Sequence, residues 1–202
     1  MNNILKNVHV EKIKSWKDSH TLISVILLSL STALSITAIV GLSHIWAGST
    51  SFTINTGQLF NDAILHGSLL TLFLIMLAVI LLKQSSKFHL VFLELITLGY
   101  FGSLGSMYSL TRDYNIDFDT SKAKYLHANV KAKHSTHTNK GNSNYYLTLY
   151  HHSISTRPFQ ISVSSSLYRS TSAKEIVTLK VRDGALSYRW VESIKPGERV
   201  SF

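Results

Sequence analysis

Long uninterrupted apolar runs fill the first half of the chain, and alternating apolar and polar residues fill most of the second half. Residues 21–42 carry no charged side chain over 22 positions, and residues 63–82 carry none over 20 positions. A helix of 22 residues is about 33 Å long, which is enough to cross a bilayer. Residues 88–110 are similarly apolar but include one carboxylate, Glu94. The pattern predicts three transmembrane helices over these ranges.

The positions of Lys and Arg around the apolar runs predict the direction of these helices. Four lysines lie in the tail, residues 1–20, and two lie in the tight turn 83–87, whereas the connector 43–62 has none. Short cytoplasmic segments are enriched in Lys and Arg, so the tail is predicted to be cytoplasmic and residues 111–202 extracytoplasmic. The chain also contains no Asn-x-Ser/Thr sequon despite its many Ser and Thr residues, which favours a bacterial inner membrane and a periplasmic C-terminal domain.

Glu94 is the one charged residue within the three predicted spans. If a tight turn joins the second and third helices, His66 lies roughly 15 Å from Glu94 along the helix axis. The first helix presents Ser29 at the depth of Glu94, with Ser31 and Thr32 nearby. An ionised carboxylate costs about 2.5–3.5 kcal/mol in lipid, so these hydroxyls are predicted to satisfy it. The alternative is a functional role for Glu94 and Ser29, in proton transfer or in contact with a partner helix.

Small residues follow Glu94 on the third helix at spacings of three and four positions. Such spacing allows two helices to approach closely. The face is predicted to pack against the first two spans, against another copy of the chain in a homo-oligomer, or against a partner. Its members are Gly99, Gly102, Ser103, Gly105 and Ser106.

The dipeptide Asp183-Gly184 predicts a β-hairpin with a two-residue turn. Pairing outward from this turn puts apolar side chains on one face and cations on the other, and a one-residue slip would bury the cations. The predicted apolar pairs are Val181–Leu186, Leu179–Tyr188 and Val177–Trp190. The predicted basic face, a candidate binding surface, consists of Lys180, Arg182 and Arg189, with contributions from Lys131 and Lys133.

Further strand patterns lie upstream of this hairpin, and Pro196-Gly197 predicts a turn before a short last strand. Five or six short strands in about 90 residues indicate a small antiparallel sandwich or barrel. The predicted fold is therefore an α+β membrane protein, with three transmembrane helices in 21–110 and an antiparallel all-β domain in 111–202. The upstream strands are predicted at 125–134, 144–152 and 159–163.

The segment GALxYRWV stands at residues 184–191. Together with the order of spans and strands, it resembles small uncharacterised bacterial inner-membrane proteins whose spans precede a β domain. The resemblance implies this architecture and assigns no activity.

The charge of the C-terminal domain bears on its partners. Residues 111–202 contain 14 Lys and Arg against 7 Asp and Glu. A basic surface can meet anionic lipid headgroups or an acidic protein. Nucleic acid is not expected as a partner, because the predicted compartment lacks it and no aromatic residues are interleaved for base stacking.

Motifs for catalysis and metal binding are lacking in the sequence. The chain has no cysteine, and five of its ten histidines lie beyond residue 111. Those histidines fall at opposite ends of the predicted strands, so no metal site and no cofactor are predicted. Walker A, GxSxG and HExxH motifs are missing from the sequence, so no enzymatic activity and no catalytic residue are predicted.

These features favour a non-enzymatic membrane protein. Its extracytoplasmic β domain is expected to bind another membrane or envelope protein, as an accessory subunit or sensor of an envelope complex. A membrane immunity or exclusion protein against a toxin or phage component is the alternative. A small envelope enzyme or transporter is the third option.

Overall fold

The structure, a computed structural model, describes residues 2–46, 52–137, 143–155 and 157–197, with side chains from residue 19 to 43 and from 52 onward. Three helices are long and apolar enough to span a membrane, and they confirm the predicted spans. Their membrane-compatible segments are Ser19–Ser43, Thr56–Leu82 and Phe88–Asp117. The chain divides into two compact units, one helical and one built on a β-sheet.

The helical unit, Met1–Ser43 and Phe60–Leu110, holds most of α1, of α2 and of a third transmembrane helix that changes its winding partway along; the end of that helix, from Thr111, belongs to the second unit. Its first part, α3, is followed by a π-helical segment and then by α4. The bounds are α1 Asn2–Trp46, α2 Thr56–Leu82, α3 Phe88–Glu94, the π-helical segment Leu95–Gly99 and α4 Tyr100–Asp117.

The second and third helices form the predicted hairpin. The turn near Ser85 brings Gly67 beside Leu104, and the rings of Phe60 and Tyr108 lie 6.4 Å apart. These residue numbers sum to 171 and 168, as expected for a hairpin whose turn is centred near Ser85, where residues at equal depth sum to about 170. The predicted pairing of the second and third helices is therefore confirmed. The core at the turn end of the unit is formed by Leu27, Leu74, Ala78, Leu82, Val91 and Leu95.

The second unit holds a six-stranded antiparallel sheet in the order β1-β6-β5-β2-β3-β4. The sheet curls into a nearly closed barrel, and the rings of Phe52 and Phe159 stack 6.3 Å apart where its two edge strands approach. Of the two predicted architectures, the structure shows the barrel. The strands are β1 Phe52–Thr53, β2 Lys124–His137, β3 Ser143–Tyr150, β4 Phe159–Val163, β5 Ile176–Arg182 and β6 Trp190–Pro196.

Alternation along the strands explains the barrel core. Inward positions of β2, β3 and β5 are apolar and fully buried, while the positions between them are polar and more exposed. The buried cluster consists of Ala128, Val130, Leu147, Leu149, Ile161, Val177, Leu179, Val181 and Val191.

One strand comes from the connector between the first two helices. Phe52 pairs with Val191, and Thr53 pairs with Trp190. A two-residue strand has too little alternation to be recognised from sequence. The connector is thus part of the β unit.

The predicted register of the Asp183-Gly184 hairpin is wrong. Strands β5 and β6 do pair antiparallel, but a seven-residue loop, 183–189, separates them. A β-bulge at Glu192 shifts the register further. The observed pairs are Val181–Val191, Leu179–Ile194 and Val177–Pro196 instead of Val181–Leu186, Leu179–Tyr188 and Val177–Trp190.

A buried amide near the end of α4 accounts for the wider loop. The Asn115 Oδ1 atom accepts hydrogen bonds from the backbone N–H of Leu186 at 2.9 Å and of Tyr188 at 3.3 Å, and its Nδ2 donates to the Tyr188 carbonyl at 2.8 Å. These bonds anchor the loop backbone at Leu186 and Tyr188 to the end of α4. Gly184, at φ 79°, lies against the same amide.

The end of the sheet and a short helix also differ from the sequence expectation. Pairing continues through Pro196, opposite Val177, and the Gly197 N–H donates to the Ile176 carbonyl at 2.9 Å. The strand predicted after this point lies outside the described residues. A short helix, α5 Ser165–Ser170, follows β4 and was not predicted.

Candidate functional site

Glu94 is partly buried within the third transmembrane helix, and the predicted hydroxyl partners do not reach it. Among the described residues, none hydrogen-bonds its carboxylate. Ser29 is exposed, the Thr32 hydroxyl donates to the Leu28 carbonyl at 2.9 Å, and the Ser31 hydroxyl is buried without a partner among the described residues. The prediction that these hydroxyls satisfy Glu94 is therefore wrong.

The relative position of the first and third helices explains this outcome. Gly99 lies beside Ser31, and Gly105 lies beside Ala38. Extending this parallel register back to Glu94 brings it level with residue 26, so Ser29 lies about 4.5 Å further along the axis at 1.5 Å per residue. The structure therefore does not bring together Glu94 and Ser29, the two intramembrane candidates.

The backbone changes its winding directly after Glu94. Residues Leu95–Gly99 are π-helical, and the Thr97 hydroxyl donates to the Leu93 carbonyl at 2.9 Å. Short π-helical segments inside α-helices are frequent at functional sites. Such a segment cannot be recognised from the sequence pattern. The surrounding residues are apolar whether or not one turn contains an extra residue.

The structure places the small-residue face of the third helix against α1. A Cβ at Gly102 would lie 2.7 Å from the Ser35 backbone nitrogen, so the two backbones are in close contact there. Ser103 is fully buried. The other contacts are Gly99 with Ser31, Gly105 with Ala38, and the Ser106 hydroxyl with the Leu34 carbonyl at 2.8 Å.

The predicted basic residues of the sheet are all paired with carboxylates. Lys180 and Arg182 both bind the Glu192 carboxylate, which the bulge in β6 projects between them. Arg189 lies in the loop 183–189, where its Nε is 3.3 Å from the Asp183 carboxylate. The three cations thus lie in two ion-pair clusters.

The electrostatics of these clusters follow from their hydrogen bonds. The Arg182 guanidinium, together with Lys180, lowers the pKa of Glu192, and Glu192 in turn raises the pKa of Arg182. The ammonium group of Lys124, 2.6 Å away, lowers the pKa of Asp183. Each cluster combines two cations with one carboxylate, so each keeps one excess positive charge, which the shared carboxylate partly offsets.

A surface of the barrel that shares Lys180 with the predicted basic face combines aromatic and basic side chains. Opposite residues of antiparallel strands project to the same side, so Tyr125 lies beside Lys180 and His127 beside Thr178. Next to them, the Lys131 ammonium lies 5.6 Å from the centre of the Tyr150 ring. We call this surface the outer face; it consists of Tyr125, His127, Asn129, Lys131, Tyr150, Ile176, Thr178 and Lys180.

The strands that form the outer face come almost entirely from a segment without acids. Residues 120–174 contain eight Lys and Arg and no Asp or Glu, and β5 adds no carboxylate. Among the described residues, Lys131 takes part in no ion pair. Sequence reasoning included Lys131 in the basic face but centred that face on the three cations that the structure pairs with carboxylates.

Three histidines gather beside the outer face. The rings of His151 and His152 stack 5.0 Å apart, and His127 Nδ1 lies 3.2 Å from the Thr178 hydroxyl. Burial lowers the pKa of His151, and repulsion from His152 and His127 lowers it further. The other two histidines of the domain lie apart, His134 against Tyr146 and His137 beside Ser143. Within the described residues, no three His, Asp or Glu side chains form a group that could hold a metal ion.

Comparisons of the chain with protein-family models, curated proteins and solved structures found no match. The resemblance of the GALxYRWV ending to bacterial inner-membrane proteins therefore stays a prediction. The function is argued from the two candidate sites, Glu94 and the outer face.

Proposed function

We propose that this protein is a non-enzymatic membrane subunit or sensor whose β domain binds another envelope component through the outer face. The single observation that carries this proposal is the exposure of aromatic and basic side chains on acid-free strands. Tyr125 is 64% exposed and Ile176 is 50% exposed. Tyr is among the residues that most often dominate binding energy at protein interfaces.

The charge of the outer face indicates the partner. Positive surfaces attract and orient acidic surfaces, which raises both association rate and specificity. Strands β2, β3 and β5 carry no carboxylate, and the Glu192 carboxylate of β6, which lies beside this face, is paired with Lys180 and Arg182. The proposed partner is therefore an envelope protein with an acidic surface.

The proposed location is a bacterial inner membrane, with the N-terminus in the cytoplasm and the β domain outside it. Lysines in the tail and in the turn 83–87 support this orientation. Because the chain has no cysteine, single-cysteine variants report the accessibility of one position each. With an impermeant maleimide on spheroplasts, Ser162→Cys in β4 should react at once and Ser86→Cys only after permeabilisation. The reverse pattern would refute the orientation.

Outer-face variants test the binding role directly. The full chain is recovered from native membranes in mild detergent, and its partners are quantified by mass spectrometry. Tyr125→Ala and Lys131→Glu should each lower recovery of the partner about tenfold, which corresponds to about 1.4 kcal/mol. Lys122→Glu is the matched control, since Lys122 is exposed but lies before β2.

The outcomes separate the alternatives. Equal recovery by Lys131→Glu and Lys122→Glu would show that the outer face does not bind the partner. Recovery of the wild-type chain alone would count against a subunit and favour an immunity or exclusion protein, which toxin challenge would then test.

A further inference from the structure

We propose that Glu94 is the contact point for a transmembrane helix of a partner protein that carries a Lys, Arg or His side chain at the same depth. This inference rests on the proposed function, since it gives the subunit a second contact within the membrane. It starts from a carboxylate that no described residue hydrogen-bonds.

Glu94 lies at the border of the surface that the helical unit turns outward. On its own helix, Val91 and Leu95 are fully buried on the inner side. Leu90, one turn before Glu94, is 57% exposed, and Leu98, one turn after it, is 53% exposed. Leu93, its neighbour in the chain, is 62% exposed. The carboxylate is therefore within reach of a helix that packs on this outward surface.

The π-helical segment lets Glu94 face a different direction from the residues that pack against α1 further along the same helix. One extra residue in a turn rotates the preceding part of a helix by about 100° relative to the following part. Gly99, Gly102 and Gly105 can therefore lie against α1 while Glu94 lies at the outward border. The break in winding occurs next to the single acid of the predicted spans 21–42, 63–82 and 88–110.

The bilayer makes an unpaired carboxylate unfavourable. No water is available in the hydrocarbon core to hydrogen-bond a polar group, and intramembrane acids commonly pair with another polar or charged side chain. A basic side chain on a neighbouring helix supplies both the hydrogen bond and the opposite charge. The same contact would define the rotation and depth at which the two helices associate.

A second copy of this chain does not provide such a group. The predicted spans 21–42, 63–82 and 88–110 contain no Lys or Arg. The nearest histidines along the hairpin, His66 and His89, lie roughly 15 Å and 8 Å from Glu94 along the axis at 1.5 Å per residue. The basic side chain therefore has to come from a different protein.

Site-specific cross-linking tests the proposal in the native membrane. A photo-reactive residue replaces Leu93 in the full chain, and cross-linked peptides are identified by mass spectrometry. We expect a cross-link to a partner's transmembrane segment that contains Lys, Arg or His. The same residue at Leu72, which is 54% exposed on α2, is the control for nonspecific contact with lipid-facing helices.

Variants of Glu94 show whether the charge makes the contact. Glu94→Gln keeps the size of the side chain and removes its charge, and it should lower the cross-link at least tenfold. Glu94→Asp keeps the charge and should restore a measurable part of the yield. Circular dichroism and size-exclusion chromatography in detergent establish that each variant is folded.

Several results would overturn the inference. A cross-link to a second copy of the chain, to lipid alone, or to a partner whose yield Glu94→Gln leaves unchanged would each do so. Failure here is distinguishable from failure of the proposed function, since Lys131→Glu tests the β domain separately. If Lys131→Glu releases the partner and Glu94→Gln does not, the proposed function stands and the intramembrane contact is refuted.

Discussion

Replacing Asn115 with alanine should unfold the loop 183–189 and destabilise the β domain. The Asn115 side chain is fully buried and makes three hydrogen bonds to the backbone of Leu186 and Tyr188. Alanine removes all three bonds. It leaves two N–H groups and one carbonyl of the loop without these partners.

The expected loss in free energy of unfolding follows from the cost of leaving buried polar groups unsatisfied. A buried hydrogen bond contributes about 0.5–1.5 kcal/mol net, and leaving its partner unsatisfied costs about 1–3 kcal/mol. Water can reach part of the loop, since Leu186 is 42% exposed, so we expect a loss of about 3 kcal/mol for the three bonds together. For a domain of this size, 1 kcal/mol lowers Tm by about 4–8 °C, which predicts a decrease of about 12 °C or more.

Hydrogen exchange read by mass spectrometry measures this effect locally. Peptides that cover Leu186 and Tyr188 should lose protection in Asn115→Ala, and thermal unfolding of the β domain should shift downward. Asn144→Ala is the matched control, because Asn144 is exposed on β3 and surface changes usually stay within about 0.5 kcal/mol. If the loop in Asn115→Ala kept the protection of the wild type, the inference that Asn115 holds the loop would be refuted.

Further predictions concern helix packing and pH. Gly102→Ala should destabilise the helical unit by about 1–3 kcal/mol, because its Cβ would overlap the α1 backbone. Gly57→Ala is the control and should cause no such loss, since no atom lies within 4 Å of its Cβ. Thermal melts in detergent compare the two variants. The folded-state pKa of His151 is lowered from 6.5, so stability of the β domain should fall as pH decreases through 6.5. His151→Asn should flatten that slope in denaturant titrations; an unchanged slope would contradict the assignment. The pKa values of Asp183 and Glu192 are lowered in the folded state. They predict a second loss of stability as pH falls below their unfolded values of 3.8 and 4.5. At neutral pH this loss is absent.

The spans and the strand β4 could be predicted from sequence because each depends on local pattern. Uncharged runs of membrane length and strict alternation over 159–163 carry their own signal. The register of β5 and β6 could not be predicted, since the side chain that holds their loop, Asn115, is 71 residues from Leu186 in the chain. The same limit applied to Glu94: hydropathy located it in the membrane, but only the packing of α1 showed which residues lie at its depth.

The two proposed contacts place joint constraints on a partner. Strand β1, from the connector, pairs with β6, so the connector and the β domain lie in one compartment. The number of spans also puts the connector and the β domain in one compartment. With three consecutive spans, the C-terminal ends of α1 and of α4 lie on the same side of the bilayer. A single partner that meets both the outer face and Glu94 must then combine an acidic domain in that compartment with a transmembrane helix that carries a basic side chain at the depth of Glu94. A partner with one of these features and not the other can satisfy only one of the two contacts.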